Sequence, residues 1–522
     1  MIRNCLVLVF SLISLLVQAQ DFNIVAFGAK SDSIKLNTKA IQAAIDAAAV
    51  NCGRVVIPAG VFMSGTIYLK SNVTLYLSRG SVIKGSQFIE NYPENKPSFS
   101  GAQTHRAHWK AMPSKALIYA DNVENIAIMG EGTINGNGDS KEYNTFDDNP
   151  NRPKVIMFVK CRNVKVENVT LTNSAFWLQH YFACDGVQIR GINVYNHGNH
   201  NNDGIDIDSK NVTMSDCIIN SNDDAICLKS DSRLLCENVV ISNCVISSNC
   251  NAIKFGTASF GGFRNVTITN CVVKKTFSSK TFRGELKDGQ NDNIRGLAGI
   301  ALEIVDGGSM ENINVNNIII NDVLTPIFIK LGSRMNPTGS IKNVIISNII
   351  ASTKSLCANS ISGVPGFNVE NVVLKDIICN IYGGGTLSDA NITLPENEKG
   401  YPECRMWGYV LPAYGLYLRH VKDITLENVQ FNLQTNDSRP AIYMEDAERV
   451  QIRNSKFSIP QGKQALIRLK DVTSLSLSNI YSNTDIPFLL NVSGAKTTQI
   501  KVDKKYDKQS IVVSPEVNKQ NL

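Results

Sequence analysis

A short repeated pattern constrains the fold of this chain more than any other feature. It reads Asn, apolar, any residue, apolar, any residue, Asn or Asp, apolar. The alternation with period two predicts a β-strand, and the second Asn or Asp predicts a bend that tolerates left-handed backbone. Copies of the pattern begin at Asn163, Asn211, Asn238, Asn265, Asn312, Asn343, Asn371, Asp423 and Arg449.

The distance between copies selects the architecture. Most copies begin 23 to 31 residues after the preceding one, and longer steps near 47 and 52 residues fit two coils, or one coil with a long loop. A coil of about 25 residues with two or three short strands is typical of a parallel β-helix, whereas a propeller blade needs about 40 residues. A leucine-rich repeat would need a Leu-rich pattern. We therefore predict an all-β fold, a single right-handed parallel β-helix.

One helix is expected at the N-terminal end of this stack. Apolar residues at positions 40, 41, 44, 45 and 48 have helical spacing, with Asn37 as N-cap and Gly53 just past the end. Such a helix would cap the exposed end of the strands. The stretch 385–415, which contains Pro and Gly, is expected to be an insertion, so that residues 21–522 form one catalytic domain.

The first twenty residues have the pattern of a secretory signal peptide. Arg3 supplies the basic start, residues 6–17 form an apolar core, and Val17-Gln18-Ala19 resembles a cleavage site. No later run reaches the roughly 18 apolar residues of a membrane span. We expect export to a periplasm or beyond, with no membrane span.

Charge and cysteine usage narrow the partners. The formal net charge of +6 favours the approach of an anionic polysaccharide, but it is too small to indicate nucleic-acid binding. Cys217, Cys244 and Cys271 recur 27 residues apart, which predicts stacked buried thiols rather than a disulfide framework. Since no His/Cys cluster has metal-ligand spacing, we expect no metal or other cofactor. We also expect the protein to be a monomer.

Four consecutive segments predict neighbouring strands on one face. They are GIDI at 204–207, AICL at 225–228, AIKF at 252–255 and ALEI at 301–304. If the apolar residues point inward, the residue between them points outward and forms one column, and the residue before each segment forms a second column. The first column would be Asp206, Cys227, Lys254 and Glu303, and the second Asp203, Asp224, Asn251 and Ile300.

The two columns bring carboxylates together. Strands of neighbouring coils lie about 4.8 Å apart, so Asp203 and Asp224 become neighbours, with Asp223 beside them at the bend. Crowded carboxylates raise at least one pKa, which supplies a proton donor next to ionised bases. Glycoside hydrolysis needs such an acid and base. A single Asp in this chain is more often a residue that stabilises a bend. Three clustered carboxylates, however, repel one another and lower the stability of the fold, so their clustering indicates a catalytic role.

Here the residues resemble a known family. NNDG at 201–204 resembles the Asn-Thr-Asp-Gly motif, and NDD at 222–224 the Gly-Asp-Asp motif, of glycoside hydrolase family 28, the polygalacturonases. Residues 152–180, with Trp177 and His180, resemble the family's approach to the site. The resemblance, over roughly residues 22–480, implies an inverting hydrolase of pectic polysaccharide without a metal. It also implies that Asp223 is the general acid and that Asp203 and Asp224 activate water.

Two motifs depart from the family. Its Gly-His-Gly motif appears as CNA at 250–252, and its Arg-Ile-Lys motif aligns best with ALE at 301–303. The usual site histidine and both cations that hold a uronate carboxylate are then missing. An unpaired buried carboxylate costs several kcal/mol. Either Lys254 takes over, or the sugar at this subsite is not an ordinary galacturonate.

Several other residues are candidates for the site. His197 and His200 precede Asp203 and are equally readable as replacements for the missing histidine or as loop residues. Lys330 and Arg334 are more simply solvated charges, as is Lys229, although all three are possible carboxylate contacts. Trp109 and Trp177 fit either sugar stacking or burial. The residues we expect to bind substrate are Asn201, Lys229, Asn251, Lys254, Glu303 and His200.

Three other functions compete with the hydrolysis of galacturonate-containing pectin. The missing cations favour a rhamnose-containing or neutral plant glycan in the same fold. A non-catalytic carbohydrate-binding β-helix would not need three clustered carboxylates. A pectate lyase would use calcium, with Asp203, Asp206 and Asp224 as its site, but it also needs an arginine base, and no arginine lies in the two columns. The long insertions 275–299 and 385–415 favour exo-action.

Overall fold

The chain folds into a parallel β-helix with three faces. A computed structural model describes residues 20–101, 114–143, 152–276, 296–335, 337–506 and 508–518, with short pieces at 280–281, 284–285 and 520. The signal segment up to residue 19, Trp109 and most of the insertion 275–299 lie outside these residues. Among the described strands, every pairing within the helix is parallel and joins one coil to the next.

The strands of each face form a continuous ladder. One face, here called the site sheet, contains Ile67–Tyr68, Ala116–Asp121, Lys154–Val159, Ile226–Leu228, Asn251–Phe255, Ala298–Ile304, Thr325–Leu331, Asn359–Ser362, Leu490–Ser493 and Ile511–Val513. The second sheet contains Asp21–Asn23, Arg54–Ile57, Thr74–Leu77, Glu124–Gly130, Arg162–Glu167, Cys236–Ser242 and Thr498–Val502. The third contains Gly60–Ser64, Ser81–Gly85, Thr133–Asn135, Thr170–Thr172, Asn193–Asn196, Ile218–Ser221, Val245–Ser248 and Lys456–Phe457.

Longer strands bend from one sheet into the next. Those that pass from the site sheet into the second are Gln179–Arg190, Ile205–Ser215, Ile442–Arg453 and Ile467–Ser478. Those that pass from the second into the third are Phe263–Lys275, Ser309–Asn321, Ser340–Thr353 and Val369–Ile381. Leu416–Leu433 runs through all three, and Lys280–Thr281 pairs separately and antiparallel with Gly284–Glu285.

Helices are few, and the predicted N-terminal helix is confirmed at Thr38–Val50. Ile41, Ala44, Ile45 and Ala48 are buried and join the core, which closes this end of the stack. The side chain of Asn37 does not cap the helix; its Oδ1 instead accepts a hydrogen bond from Lys30 N at 2.7 Å. The other helical segments among the described residues are the α-helix Leu387–Ala390 and the 3₁₀ turns Ile24–Phe27, Ile89–Asn91, Lys141–Tyr143 and Lys508–Ser510.

The repeated Asn residues stack at the bends, as the pattern predicts. Asn238 Nδ2 donates to Asn211 Oδ1 at 3.1 Å, and Asn265 Nδ2 donates to Asn238 Oδ1 at 3.2 Å. Each of these residues has a positive φ of 56° or 57°, which Asn tolerates better than most residues. The amide ladder therefore fixes the coil-to-coil register on the outside of the helix.

The interior holds ladders of equivalent side chains. Ile205, Ile226, Ile253, Ile300 and Ile327 follow one another in register, and each is at most 2% exposed. Cys217, Cys244 and Cys271 are buried free thiols, so their predicted stacking inside the core is confirmed. This rigid core positions the outward side chains of the site sheet.

Candidate active site

The first outward column is correct for three of its four residues. Asp206 pairs with Cys227 and Cys227 with Lys254, as predicted. The fourth is wrong, because Ala301 rather than Glu303 lies beside Lys254. A slip of two residues keeps every side chain on the same face, so the apolar alternation could not distinguish the two registers.

The second column has the same error in its last member. Gly204 N donates to Asp224 O at 2.9 Å, and Ala225 N donates to Asn251 O at 2.9 Å, which places Asp203, Asp224 and Asn251 in successive coils. The residue that pairs with Asn251 is Ala298, not Ile300.

The structure brings the three predicted carboxylates into one buried cluster. Asp203 is 3% exposed, Asp223 6% and Asp224 4%. One oxygen of Asp224 lies within 4.8 Å of an oxygen of Asp203, and the same limit holds between Asp224 and Asp223. These distances are short enough for each charge to change the protonation of its neighbours.

The environments of Asp223 and Asp224 push their pKa values apart. Burial, followed by the charges of Asp203 and Asp224, raises the pKa of Asp223 well above its usual value. Burial also acts on Asp224, but Lys254, Lys229 and the amide of Asn251 outweigh it and lower its pKa. Lys254 Nζ lies 3.0 Å from Asp224 Oδ2, and Asn251 Nδ2 donates to Asp224 Oδ1 at 2.7 Å. The cluster thus favours a protonated Asp223 beside an ionised Asp224.

A second lysine serves the other side of the cluster. Lys229 Nζ lies 3.5 Å from Asp203 Oδ2 and 3.1 Å from Asp206 Oδ1. Burial raises the pKa of both acids, and for Asp206 the charge of Asp203 adds to that effect. Lys229 is 6% exposed, so the expectation of a solvated charge was wrong for this residue.

Lys254 also contacts the carboxyl group of Glu303, across one coil. The distance from Lys254 Nζ to Glu303 Oε2 is 3.9 Å. Glu303 is fully buried, and burial raises its pKa to about 8. Its two carboxyl oxygens receive no hydrogen bond from any residue that the structure describes.

The remaining predicted residues have other neighbours. Asn201 Oδ1 accepts from Arg152 Nη2 at 2.9 Å, and the backbone oxygen of His200 accepts from Arg152 Nη1 at 2.6 Å. His197 Nε2 lies 2.8 Å from Asn220 Oδ1. Arg152 therefore holds the loop before Asp203.

Lys330 and Arg334 are not solvated charges either. Lys330 is 1% exposed, and its Nζ donates to Gly363 O at 3.2 Å. Arg334 forms two hydrogen bonds to Asp306, at 3.0 and 2.7 Å. Neither cation contacts the carboxylate cluster through these bonds.

The sequence singles out His180 but not its buried partner Lys154. His180 pairs with Asp206 in the outward column, and its Nδ1 lies 2.9 Å from Lys154 Nζ. Burial lowers the pKa of Lys154 to about 7. Trp177 stacks on Phe176 and lies 4.4 Å from Lys229 Nζ, so it is buried and does not form a sugar-stacking wall. The column position of His180 was readable from the repeat, but the contact with Lys154 was not.

A metal fits the donor set poorly. Asp203, Asp224 and Cys227 form one group with donors close enough to share an ion, and Asp223, Asp224 and Cys250 form another. Burial raises the pKa of both thiols well above the usual value, which keeps them protonated and poor ligands. Calcium also prefers oxygen donors, and Lys229 already binds the carboxylates of Asp203 and Asp206. These contacts oppose the lyase hypothesis.

None of the described helices is long and apolar enough to cross a membrane. The fold resembles a hyperthermoactive exopolygalacturonase from Thermotoga maritima, with a TM-score of 0.59 and 21% identity over 79% of this chain and 92% of that one. The predicted right-handed parallel β-helix is thereby confirmed.

Sequence relatives cover the chain in part. A probable polygalacturonase of Vitis vinifera is 32% identical over 222 residues, which are 41% of this chain and 45% of the relative. An exo-poly-alpha-D-galacturonosidase of Dickeya chrysanthemi is 38% identical over 145 residues, which are 28% of this chain and 24% of the relative. The aligned parts thus span less than half the length of these relatives.

The family model described as "Glycosyl hydrolases family 28" matches residues 48–398. That match covers two thirds of the chain and includes the whole carboxylate cluster. This protein belongs to glycosyl hydrolases family 28.

Proposed function

We propose that this protein is an exported glycoside hydrolase that cleaves the bond of an α-linked galacturonate, or a related unit, in pectic polysaccharide. The observation that carries the proposal is a buried cluster of three carboxylates in which Lys254 lies 3.0 Å from Asp224 and lowers its pKa, while burial and neighbouring charges raise that of Asp223, so that the two pKa values diverge. A binding surface alone has no need of this divergence. Asp203, Asp223 and Asp224 lie within the part of the chain that matches the family model.

In the proposed reaction Asp223 donates its proton to the glycosidic oxygen as the bond to the anomeric carbon breaks. Asp203 and Asp224 accept the proton of a water molecule, whose oxygen forms the new bond to that carbon. One water is consumed; the proton that the bases accepted passes to the solvent, and Asp223 takes up a proton from the solvent, which restores the site for the next cycle. Lys254 lowers the pKa of Asp224 and so favours its ionised form, and the charge of Lys229 opposes the burial that raises the pKa of Asp203.

We propose inversion at the anomeric carbon, although the carboxylates are close together. General inverting pairs are about 6.5–9.5 Å apart, and retaining pairs about 5–5.5 Å apart. In this site the base is a pair of carboxylates. Asp203 and Asp224 have oxygens within 4.8 Å of each other, so both can hydrogen-bond to the same attacking water. Lys254 and Asn251 also occupy the oxygens of Asp224, which weakens it as a nucleophile.

We propose exo-action because the insertion at 385–415 covers the site sheet beyond Lys254. Cys404 packs with Ala301 and Phe328, the next two residues of the outward column. Buried Arg439 donates to the backbone oxygens of Leu411 and Ala413, at 3.0 and 3.1 Å, and so fixes the end of the insertion. Among the described residues this packing narrows the path of a polysaccharide in that direction, which supports exo-action.

A neutral sugar at the cleavage site is the second candidate, and the lysines favour it. Lys254 is already 3.0 Å from Asp224, and Lys229 is 3.1 Å from Asp206. At the positions aligned with the family's Arg and Lys stand Ala301, which is apolar, and Glu303, which is acidic. A uronate carboxylate would have to compete with carboxylates of this chain for each ammonium group.

The proposal is tested with homogalacturonan, rhamnogalacturonan and their oligomers as substrates. Chromatography identifies the products, ultraviolet absorbance detects unsaturated sugars, and proton NMR gives the anomer formed first. We expect saturated monosaccharides or short products with the β configuration. Unsaturated products would indicate a lyase, a first product with the α configuration would indicate retention, and binding of every glycan without cleavage would support the non-catalytic alternative.

Cellular context adds three proposals. Residues 1–20 direct export, residues 21–522 act as one domain, and the protein works as a monomer without nucleic-acid partners. These proposals rest on the sequence pattern of the first twenty residues, on the continuous ladder of coils and on the modest net charge. Mass spectrometry of the exported protein and its sedimentation behaviour test them.

A further inference from the structure

One aromatic side chain of the insertion reaches Lys254, the lysine that contacts the carboxylate cluster. Tyr401 OH lies 3.5 Å from Lys254 Nζ and 3.1 Å from Thr257 Oγ1. Tyr401 is 147 residues from Lys254 in sequence, and only the folded insertion brings the two together. Since Lys254 contacts Asp224, Tyr401 stands one residue away from the proposed base.

Tyr401 is held by polar contacts, yet part of its surface stays exposed. Two cations lie near the Tyr401 ring: Lys254 Nζ is 5.6 Å and Arg334 Cζ is 6.0 Å from the ring centroid. Nearby in the insertion, Cys404 donates from Sγ to Leu297 O at 3.5 Å, which ties this segment to the site sheet. Tyr401 nevertheless keeps 39% of its surface exposed, whereas Lys254 and Asn251 are 2% exposed.

This combination is typical of a sugar-binding wall. Aromatic rings supply a large, stiff, apolar surface with a polar tip, and ligand pockets combine such surfaces with a few placed polar groups. A pyranose ring presents C–H bonds on its faces and hydroxyls at its rim. A ring restrained at its hydroxyl loses little further freedom when a sugar packs on it.

We propose that Tyr401 binds the pyranose face of one glycosyl unit of the substrate, in the subsite beside Asp224, and ends the binding site there. The assignment rests on the proposed function for the identity of the ligand, a pectic glycosyl unit. It replaces Trp177, which is buried, as the stacking residue. It also gives the insertion a role in binding as well as in coverage.

The test compares Tyr401→Ala, Tyr401→Leu and Tyr401→Phe with Tyr409→Ala as a matched control. Tyr409 lies in the same insertion and is 54% exposed, and its ring is 5.8 Å from Arg405 Cζ. Steady-state kinetics on the best-cleaved pectic oligomer give KM and kcat, and chromatography gives product lengths. Calorimetric titration of the same oligomers into each variant, combined with Asp223→Asn, measures binding without turnover.

We expect Tyr401→Ala and Tyr401→Leu to raise KM and Kd about tenfold, with longer products, and Tyr401→Phe and Tyr409→Ala to stay within about twofold. Loss of binding in Tyr401→Phe equal to that in Tyr401→Ala would overturn the wall and assign the effect to the hydroxyl. Wild-type values in both Tyr401→Ala and Tyr401→Leu would also overturn it. If the wild type cleaves no oligomer but Asp223→Asn binds one through Tyr401, the inference stands and hydrolysis fails. If nothing binds, both fail.

Discussion

Lys254 Nζ lies 3.0 Å from Asp224 Oδ2, and the two side chains are only 3% and 5% exposed. A buried ion pair of this kind stabilises the charged form of each member, and it lowers the pKa of Asp224 against the effect of burial. Asp223 has no such cation in contact among the described residues, and its pKa is raised. One lysine thus separates the proposed base from the proposed acid.

Replacement of Lys254 by Met tests that separation. Without the ammonium group the pKa of Asp224 rises, so the base becomes protonated at a higher pH than in the wild type. We expect kcat/KM at pH 5 to fall about tenfold or more, and the acidic limb of its pH profile to move to higher pH. Lys342→Met, which breaks an exposed ion pair with Glu311, is the control. An unmoved acidic limb would contradict the role of Lys254.

The raised pKa of the buried Glu303 carboxyl group leads us to expect that the stability of the fold depends on pH. Its pKa rises from 4.5 in the unfolded chain to about 8 in the folded one, so the folded state binds the proton more tightly. The contribution of Glu303 to the free energy of unfolding is therefore fully present below pH 4.5 and is lost as the pH rises to about 8. Glu303→Gln removes this pH dependence, which we expect to change the free energy of unfolding by about 4 kcal/mol.

Urea denaturation of wild type and Glu303→Gln at pH 5 and pH 8 measures the difference. Glu370→Gln, at an exposed position, should behave like the wild type. An equal loss of stability between the two pH values in wild type and Glu303→Gln would show that Glu303 is not the group responsible.

Arg439 joins the end of the insertion to the β-helix, so its replacement should loosen the insertion. Its guanidinium is fully buried, pairs with Asp437 at 2.7 Å, and donates to Leu356 O at 2.7 Å. Removal of one partner of a buried ion pair costs about 3–5 kcal/mol. In Arg439→Met we expect faster hydrogen exchange and proteolysis within 385–415, together with a shift from terminal to internal cleavage.

The matched control is Arg449→Met. Arg449 forms two bonds to Asp423, but both side chains are more than 40% exposed, and such pairs contribute little. If Arg439→Met leaves exchange in the insertion at the level of Arg449→Met, the insertion is held by other contacts.

The sequence predicts most of this fold because the fold repeats. Asn238 and Asn265 recur at a fixed place in each coil, and each bend asks for the same left-handed backbone. The meeting of Asp203 with Asp224 follows from that repeat alone. The register of Glu303 could not be predicted, since a slip of two residues satisfies the same apolar pattern.

Contacts outside the repeat were also beyond prediction. Tyr401 reaches Lys254 from an insertion whose path is set by tertiary packing, and neither residue carries a local signal of the contact. Burial had a similar effect on Lys229, which the sequence presents as an ordinary charge but the fold places at 3.5 Å from Asp203. Charge, burial and distance together decide the site, and only the first is visible in the chain.

The most direct test is the activity of Asp223→Asn on the pectic substrate that the wild type cleaves best. Asp216→Asn is the control, because Asp216 lies at an exposed bend where it pairs with Arg190. We predict that Asp223→Asn, folded as judged by circular dichroism, loses about 10²–10⁴-fold in kcat, the contribution of a general acid, while Asp216→Asn keeps it. Asp223→Asn with wild-type kcat would contradict the assignment of the acid and with it the proposed mechanism.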